Sequence, residues 1–205
     1  MQRNSRRCWR PDMILLAALL VSLLIGLLLG GKLSRLAALP LRLPWLALLA
    51  FGLQIYLLYW PSAMAPALLS PHTAILVASY LLLLVFVWIN RRLPGMLIIG
   101  LGLLMNLTVM LANGGYMPIT PEAVIQVGHE YELQTFEPGA RLRNTKDILL
   151  PREQTNLWFL SDIFVVAPPF PIPSVFSPGD VVLALGAAIL IIVTLRRAPP
   201  AGGRS

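Results

Sequence analysis

Five blocks of apolar residues, separated by polar connections, dominate the pattern along the chain. They cover residues 13–31, 45–60, 73–90, 95–113 and 181–195. An α-helix needs roughly 17–25 mostly apolar residues to cross the hydrocarbon core of a bilayer. The second block is short, but Trp45 and Trp60 at its two ends suit the aromatic belts at the membrane interfaces. The pattern predicts an all-α membrane protein with a bundle of about five transmembrane helices.

Composition supports a membrane protein over a soluble one. Of the 205 residues, 57% are hydrophobic and only 12% are charged, whereas soluble domains carry about 25% charged residues. The net charge of +7 comes from basic residues beside the apolar blocks, where they report topology and not nucleic-acid binding. The expected partners are therefore the lipid bilayer and other membrane proteins. The single cysteine, Cys8, excludes an internal disulfide framework and a cysteine-based metal cluster.

The connection between the fourth and fifth blocks has a different character and predicts a proline-rich extracytoplasmic cap. It holds half of the 18 prolines and, together with Asp180, every acidic residue except Asp12. Irregular backbone of this kind cannot lie exposed in lipid, because its peptide groups would have no hydrogen-bond partners. Within it, Thr120 and Pro121 predict the start of a short helix that Gly128 ends. Residues 163–170 are apolar but rich in proline, which predicts a non-helical pad on the bundle.

These segments give a domain organisation and a topology. Residues 1–12 form an Arg-rich leader, 13–113 four transmembrane helices, 114–179 the cap, 180–197 the fifth helix and 198–205 a disordered cytoplasmic tail. Basic residues favour the cytoplasmic side. The first and third connections and the C-terminus, which are the basic ones, are therefore expected in the cytoplasm. The cap and the N-terminus are expected outside a cell inner (plasma) membrane.

The leader conflicts with this topology, because its four arginines would have to be exported. An inverted molecule, a twin-arginine export signal around Arg6 and Arg7, and a translation start at Met13 each resolve the conflict. We favour the start at Met13, which also removes Cys8.

Two asparagines make the fourth block the most polar one. Asn106 and Asn113 are seven residues apart and share a helix face, approximately with Gly102. Buried amides usually join membrane helices by hydrogen bonds. The alternative is a face that lines a path for a substrate or an ion.

Three polar blocks supply the candidate site residues. The first follows the fourth helix as a C-cap and turn or, alternatively, a backbone cradle for a ligand; its candidates are Asn113, Gly114, Gly115, Met117 and Pro118. The others contribute Trp158, Asp162, Ser177 and Asp180. Ser177 or Asp180 can cap the fifth helix, while Asp162 lies in an apolar stretch without an obvious structural reason.

We expect the three blocks to meet at the outer end of the bundle.

Metal or cofactor chemistry has little support in the sequence. His72 and His129 are isolated and are expected to be ordinary loop histidines, so neither a metal nor a cofactor is predicted.

At these blocks the sequence resembles a bacterial integral membrane family of unknown function. The family has a Gly-Gly-basic-Leu turn, here at residues 30–33, an Asn-Gly-Gly-x-Met-Pro block at 113–118, a Leu-Trp-Phe-Leu-x-Asp block at 157–162 and a Phe-Ser-x-Gly-Asp block at 176–180. The resemblance covers nearly all of residues 13–197. It implies an architecture and no established activity.

A weaker resemblance is to lipoprotein signal peptidases, which are small polytopic aspartic proteases. Asn113, Asp162 and Asp180 follow an order comparable to the blocks of that family, so the resemblance makes Asp162 and Asp180 the candidates for catalysis. No arginine follows Asp162, and Ser177 stands where the peptidases have asparagine. We therefore expect a structural, assembly or small-ligand-binding membrane protein, ahead of a transporter or channel subunit and of a peptidase.

Overall fold

Seven α-helices account for most of the chain that the computed structural model describes, namely residues 13–59, 67–130, 133, 137–142, 145–170 and 173–196. The helices are α1 (Met13–Leu28), α2 (Leu33–Ala37), α3 (Pro44–Leu58), α4 (Pro71–Ile89), α5 (Met96–Ala112), α6 (Pro121–Gln126) and α7 (Pro178–Arg196). The five predicted blocks correspond to α1, α3, α4, α5 and α7. Of these, α4 and α7 are long and apolar enough to cross a membrane, while the other three are apolar but shorter. The short helix α2 was not predicted. The leader and the tail lie outside the described residues.

Several helices begin at a hydroxyl residue followed by proline, as the sequence predicts for Thr120 and Pro121. The Ser70 hydroxyl accepts a hydrogen bond from the Thr73 N–H at 3.1 Å, with Pro71 at the first helical position of α4. Thr120 caps α6 in the same way, with Pro121 behind it. Proline fits there because the first N–H groups of a helix have no intrahelical partner.

The prediction of an all-α fold is wrong for the cap, whose described residues include four strands of three residues each. They are β1 (Met117–Ile119), β2 (Asp147–Leu149), β3 (Phe164–Val166) and β4 (Ser174–Phe176). Strand β1 pairs in parallel with β2, and β3 pairs antiparallel with β4. Such short strands show no two-residue alternation in sequence. The apolar pad predicted at residues 163–170 is non-helical, as expected, and much of it is strand β3.

Close contact between α5 and α7 holds the middle of the helical part together. Side-by-side contacts connect α1 to α7, α7 to α5, α5 to α4 and α4 to α3. A Cβ atom on Gly102 would lie 2.7 Å from the Gly179 carbonyl oxygen, and one on Gly186 would lie 2.6 Å from the Ile99 nitrogen. Glycines let the two backbones approach closely, as small residues do between membrane helices.

The two ends of the helical part differ: basic residues lie at one end, and the cap lies at the other. At one end the Arg35 guanidinium donates to the Leu195 carbonyl at the C-terminus of α7 (2.9 Å). At the same end, the Arg42 N–H donates to Asn90 Oδ1 (2.8 Å), so the connections after α2 and after α4 meet there. We call this the basic end. The cap covers the other end, where its strands pack around a second apolar core that includes Ile119 and Val175.

Candidate functional site

Lys146 lies at the contact between the cap and the helices. Its backbone carbonyl accepts a hydrogen bond from the Met117 N–H (2.9 Å), which places it just before β2 in the β1–β2 pair. Burial by itself lowers the pKa of the Lys146 ammonium, but the carboxylates of Asp180, Asp162 and Asp147 and the phenol of Tyr80 together raise that pKa well above its usual value. Because three buried carboxylates raise this pKa together, we infer that the lysine is their shared electrostatic counter-ion. We call Lys146, Asp147, Asp162 and Asp180 the lysine cluster.

Asp180 joins the lysine cluster to the interface between α5 and α7. Its Oδ1 accepts from Asn106 Nδ2 (2.7 Å), and its Oδ2 accepts from the Ser177 N–H (3.0 Å). The Ser177 hydroxyl lies 2.8 Å from Asn106 Oδ1 and 2.9 Å from Asp180 Oδ2, and it accepts from the Asp180 N–H (3.1 Å). Ser177 and Asp180 form a reciprocal capping box at the start of α7. The predicted roles of Asn106 in joining helices and of Ser177 and Asp180 in capping are confirmed.

Asp162 connects the same cluster to the polar block after α5. The Asp162 N–H donates to the Pro118 carbonyl (3.2 Å), and Asp162 forms an isolated parallel β-bridge with Ile119. The side chain is 2% exposed. The three polar blocks therefore meet at the cap end, as the sequence predicts.

The turn after α5 is a filled structural element and not an open cradle. Asn113 donates to the Val109 carbonyl (2.8 Å) and exchanges hydrogen bonds with the backbone of Asn156 (2.9 and 3.0 Å). Gly115 has a φ of +91° and packs directly on the Thr73 side chain, whose hydroxyl donates to the Gly114 carbonyl (3.3 Å). The C-cap interpretation of this block is confirmed.

A second buried cation attaches the cap to α3. The Arg141 guanidinium donates to the Leu57 carbonyl (2.6 Å) and the Thr145 carbonyl (2.9 Å), and it lies 5.6 Å from the Tyr116 ring. Burial lowers its pKa, while Tyr116 and Asp147 raise it. The Tyr116 ring also stacks on the His72 ring, with 4.3 Å between their centres. His72 is therefore a buried residue of α4, and its prediction as a loop histidine is wrong.

A cleft of about 210 Å³ opens on the cap, and the buried Asp162 is part of its lining. One side comes from α6 and contributes Glu122 and Gln126. The other comes from residues 152–161, where the Arg152 guanidinium lies 3.6 Å from the centre of the Trp158 ring. The cleft thus combines an exposed carboxylate, a guanidinium stacked on an indole, and one buried carboxylate of the lysine cluster, that of Asp162.

These surroundings do not suit an aspartic dyad. Both carboxylate oxygens of Asp180 accept hydrogen bonds from N–H donors, and Lys146 interacts with both Asp180 and Asp162. Both features stabilise charged carboxylates, whereas a dyad requires one of its two carboxyl groups to hold a proton. The arrangement supports structure and binding better than acid–base chemistry.

Sequence reasoning missed Lys146, Arg141 and Arg152. A signal was present, because these basic residues lie in a connection that the distribution of charge places outside. Cations that break the expected topology often have a local partner, and here the partners are carboxylates, carbonyls and an indole ring.

The described fold defines a mostly helical protein with two helices able to span a membrane by length and composition and a small mixed cap. The chain belongs to DUF5317, a family of unknown function whose model matches residues 38–192. This confirms the predicted membership of a family of unknown function, and no activity comes with it. No curated protein and no solved structure matches the chain.

Proposed function

We propose that the protein is a multi-pass membrane protein that binds a small zwitterionic solute in the cap cleft. The observation that carries the proposal is the cleft itself, which is lined by charged residues of both signs and by the buried Asp162.

The helical surfaces support a membrane setting. Only 33% of the most apolar window of α4 and 28% of that of α7 is buried inside the protein, whereas the core helix of a soluble protein would be mostly buried. The other long helices also expose large apolar side chains, including Leu20 of α1, Leu48 of α3 and Leu97 of α5. Apolar surface of this extent needs a partner, and lipid is the one that surrounds a whole bundle. All five long helices cross the membrane in this proposal.

The distribution of charge supports an orientation. Lys32, Arg35, Arg42 and Arg91 belong to the basic end, which the positive-inside tendency assigns to the cytoplasm. The cap then lies outside, together with the N-terminal end of α1, which contacts strand β4.

The walls of the cleft support a zwitterionic solute. Glu122 can accept hydrogen bonds from an ammonium group, while Arg152, held over Trp158, can donate two to a carboxylate. A volume of about 210 Å³ lies below the roughly 300–1,000 Å³ of sites for drug-sized ligands. A molecule the size of an amino acid matches both the volume and the charges.

A thermal-shift screen of the detergent-purified protein tests this function. The probes are the twenty standard amino acids and glycine betaine, with glucose as a neutral control of similar size. A solute present at a hundred times its Kd stabilises the folded state by about 2.7 kcal/mol, so we expect at least one zwitterion to raise the Tm by about 5–10 °C. Glucose should have no effect.

Matched variants locate the binding. Glu122→Gln and Arg152→Gln should each weaken binding of that zwitterion about tenfold or more, because each removes a charge-assisted hydrogen bond. Glu153→Gln is the control, since Glu153 is an exposed neighbour of Arg152 outside the cleft. The proposal is wrong if no zwitterion raises the Tm, or if Glu153→Gln weakens binding as much as the cleft variants.

A further inference from the structure

A second concave surface lies at the basic end, far from the cap. It is a groove of about 560 Å³ between the segment that precedes α3 and the C-terminus of α4, and it is lined by Arg42, Leu43, Trp88, Ile89 and Arg91. We call it the arginine groove. The groove thus combines apolar side chains with two arginines. None of these residues belongs to the proposed solute site.

Hydrogen bonds hold the backbone of Arg42 and the side chain of Arg91 at the groove. The Arg42 backbone exchanges two hydrogen bonds with the Asn90 side chain, at 2.8 Å and 2.9 Å, so this segment is attached to the end of α4. Arg91 donates to the Trp88 carbonyl (3.0 Å) and lies 4.4 Å from the centre of the Trp88 ring. Both side chains are exposed, so the Arg42 guanidinium and the remaining N–H groups of Arg91 can donate to a further acceptor.

No carboxylate of the described chain lies at this end to serve as that acceptor. The described residues up to Pro121 include no Asp or Glu, and the acidic residues after it lie in the cap or at the start of α7. Two exposed arginines therefore face the groove at an end that has several further cations and no described carboxylate.

The apolar part of the groove is exposed as well. Trp88 is 63% exposed and Leu43 is 45% exposed. Leu43 also has a φ of +52° and precedes Pro44, so it adopts a left-handed conformation that is unfavourable for a residue with a side chain. An exposed leucine held in this way gains little from packing within the protein, but it can pack against an apolar chain in the groove.

We infer that the arginine groove binds an anionic phospholipid, with the phosphate on Arg42 and Arg91 and an acyl chain along Leu43, Trp88 and Ile89. Charge complementarity selects the anionic headgroup, and the exposed apolar floor selects the attached chain over a free phosphate ion. Tryptophan at the membrane interface and basic pockets between helices are both suited to such a ligand.

Native mass spectrometry of the full chain in detergent tests this site without reference to the cap. The probes are phosphatidylglycerol and phosphatidylcholine with identical acyl chains, and sn-glycerol 3-phosphate as a headgroup without chains. We expect the affinity for phosphatidylglycerol to be at least about tenfold higher than that for phosphatidylcholine or for sn-glycerol 3-phosphate. The double variant Arg42→Gln/Arg91→Gln should lose most of this preference and change its Tm little, since the bonds from Arg42 to Asn90 are made by the backbone and the bond from Arg91 to the Trp88 carbonyl is exposed.

Arg92→Gln is the matched control, because Arg92 is an exposed neighbour that does not line the groove. It should change the affinity for phosphatidylglycerol less than twofold. The inference is wrong if phosphatidylcholine or sn-glycerol 3-phosphate binds as tightly as phosphatidylglycerol. It is also wrong if the double variant binds phosphatidylglycerol as the unchanged protein does, or if Arg92→Gln loses as much affinity as the double variant.

Discussion

Replacing Lys146 with methionine is expected to lower the free energy of unfolding by about 3–5 kcal/mol, because it leaves buried carboxylates without their shared cation. Methionine keeps much of the apolar stem, so the change isolates the charge. The raised pKa of Lys146 keeps the ammonium charged in the folded state, and its stabilisation is present below about pH 10.4 and is lost as the pH rises through the folded-state pKa. Equilibrium unfolding in SDS mixed micelles at pH 7 measures the effect.

Two comparisons show whether the effect belongs to the lysine cluster. Arg152→Met removes an exposed cation of the same cap and should cost less than about 1 kcal/mol. The double variant Lys146→Met/Asp180→Asn should cost less than the sum of its single changes, because the two residues share an interaction. A Lys146→Met protein as stable as the unchanged protein would contradict the assignment of Lys146 as the shared counter-ion.

Asp180→Asn is expected to cost about 2–4 kcal/mol, although asparagine is as good a helix cap as aspartate. The sequence alone predicts little effect, since it shows only the capping role. In the structure both oxygens of Asp180 face N–H donors, from Asn106 and Ser177. An asparagine amide would place its NH₂ group against one of these donors and would also remove a charge that compensates Lys146.

The same unfolding assay tests this second prediction, with Glu122→Gln as the matched control. Glu122 is an exposed acid in the first turn of α6, so its neutralisation should cost no more than about 1 kcal/mol. A cost for Asp180→Asn equal to that of Glu122→Gln would mean that capping alone accounts for Asp180.

The helices and their starts could be predicted because their signals are local. The apolar blocks mark α4 and α7 directly, and hydroxyl–proline pairs such as Thr120 and Pro121 mark where helices begin. Ser177 and Asp180, three residues apart, likewise predict a cap, and the reciprocal bonds between them are observed.

The cap and its lysine could not be predicted because their signals are not local. Met117 pairs with Asp147, thirty residues later, and each strand is only three residues long. Lys146 interacts electrostatically with Asp180 because this pairing brings it to the contact between the cap and the helices. No pattern in the surrounding residues predicts such an interaction. The same holds for Arg141, whose acceptor Leu57 belongs to a helix far away in the sequence.

Labelling of single cysteines from one side of the membrane tests the central claim, that the cap lies outside and the basic end in the cytoplasm. In a Cys8→Ser background, Glu130→Cys probes the cap and Arg92→Cys probes the basic end, both at exposed positions. In spheroplasts, a membrane-impermeant maleimide should label the Glu130→Cys variant at once, and the Arg92→Cys variant only after the membrane is disrupted. Labelling of the Arg92→Cys variant in intact spheroplasts, with the Glu130→Cys variant protected, would contradict the account.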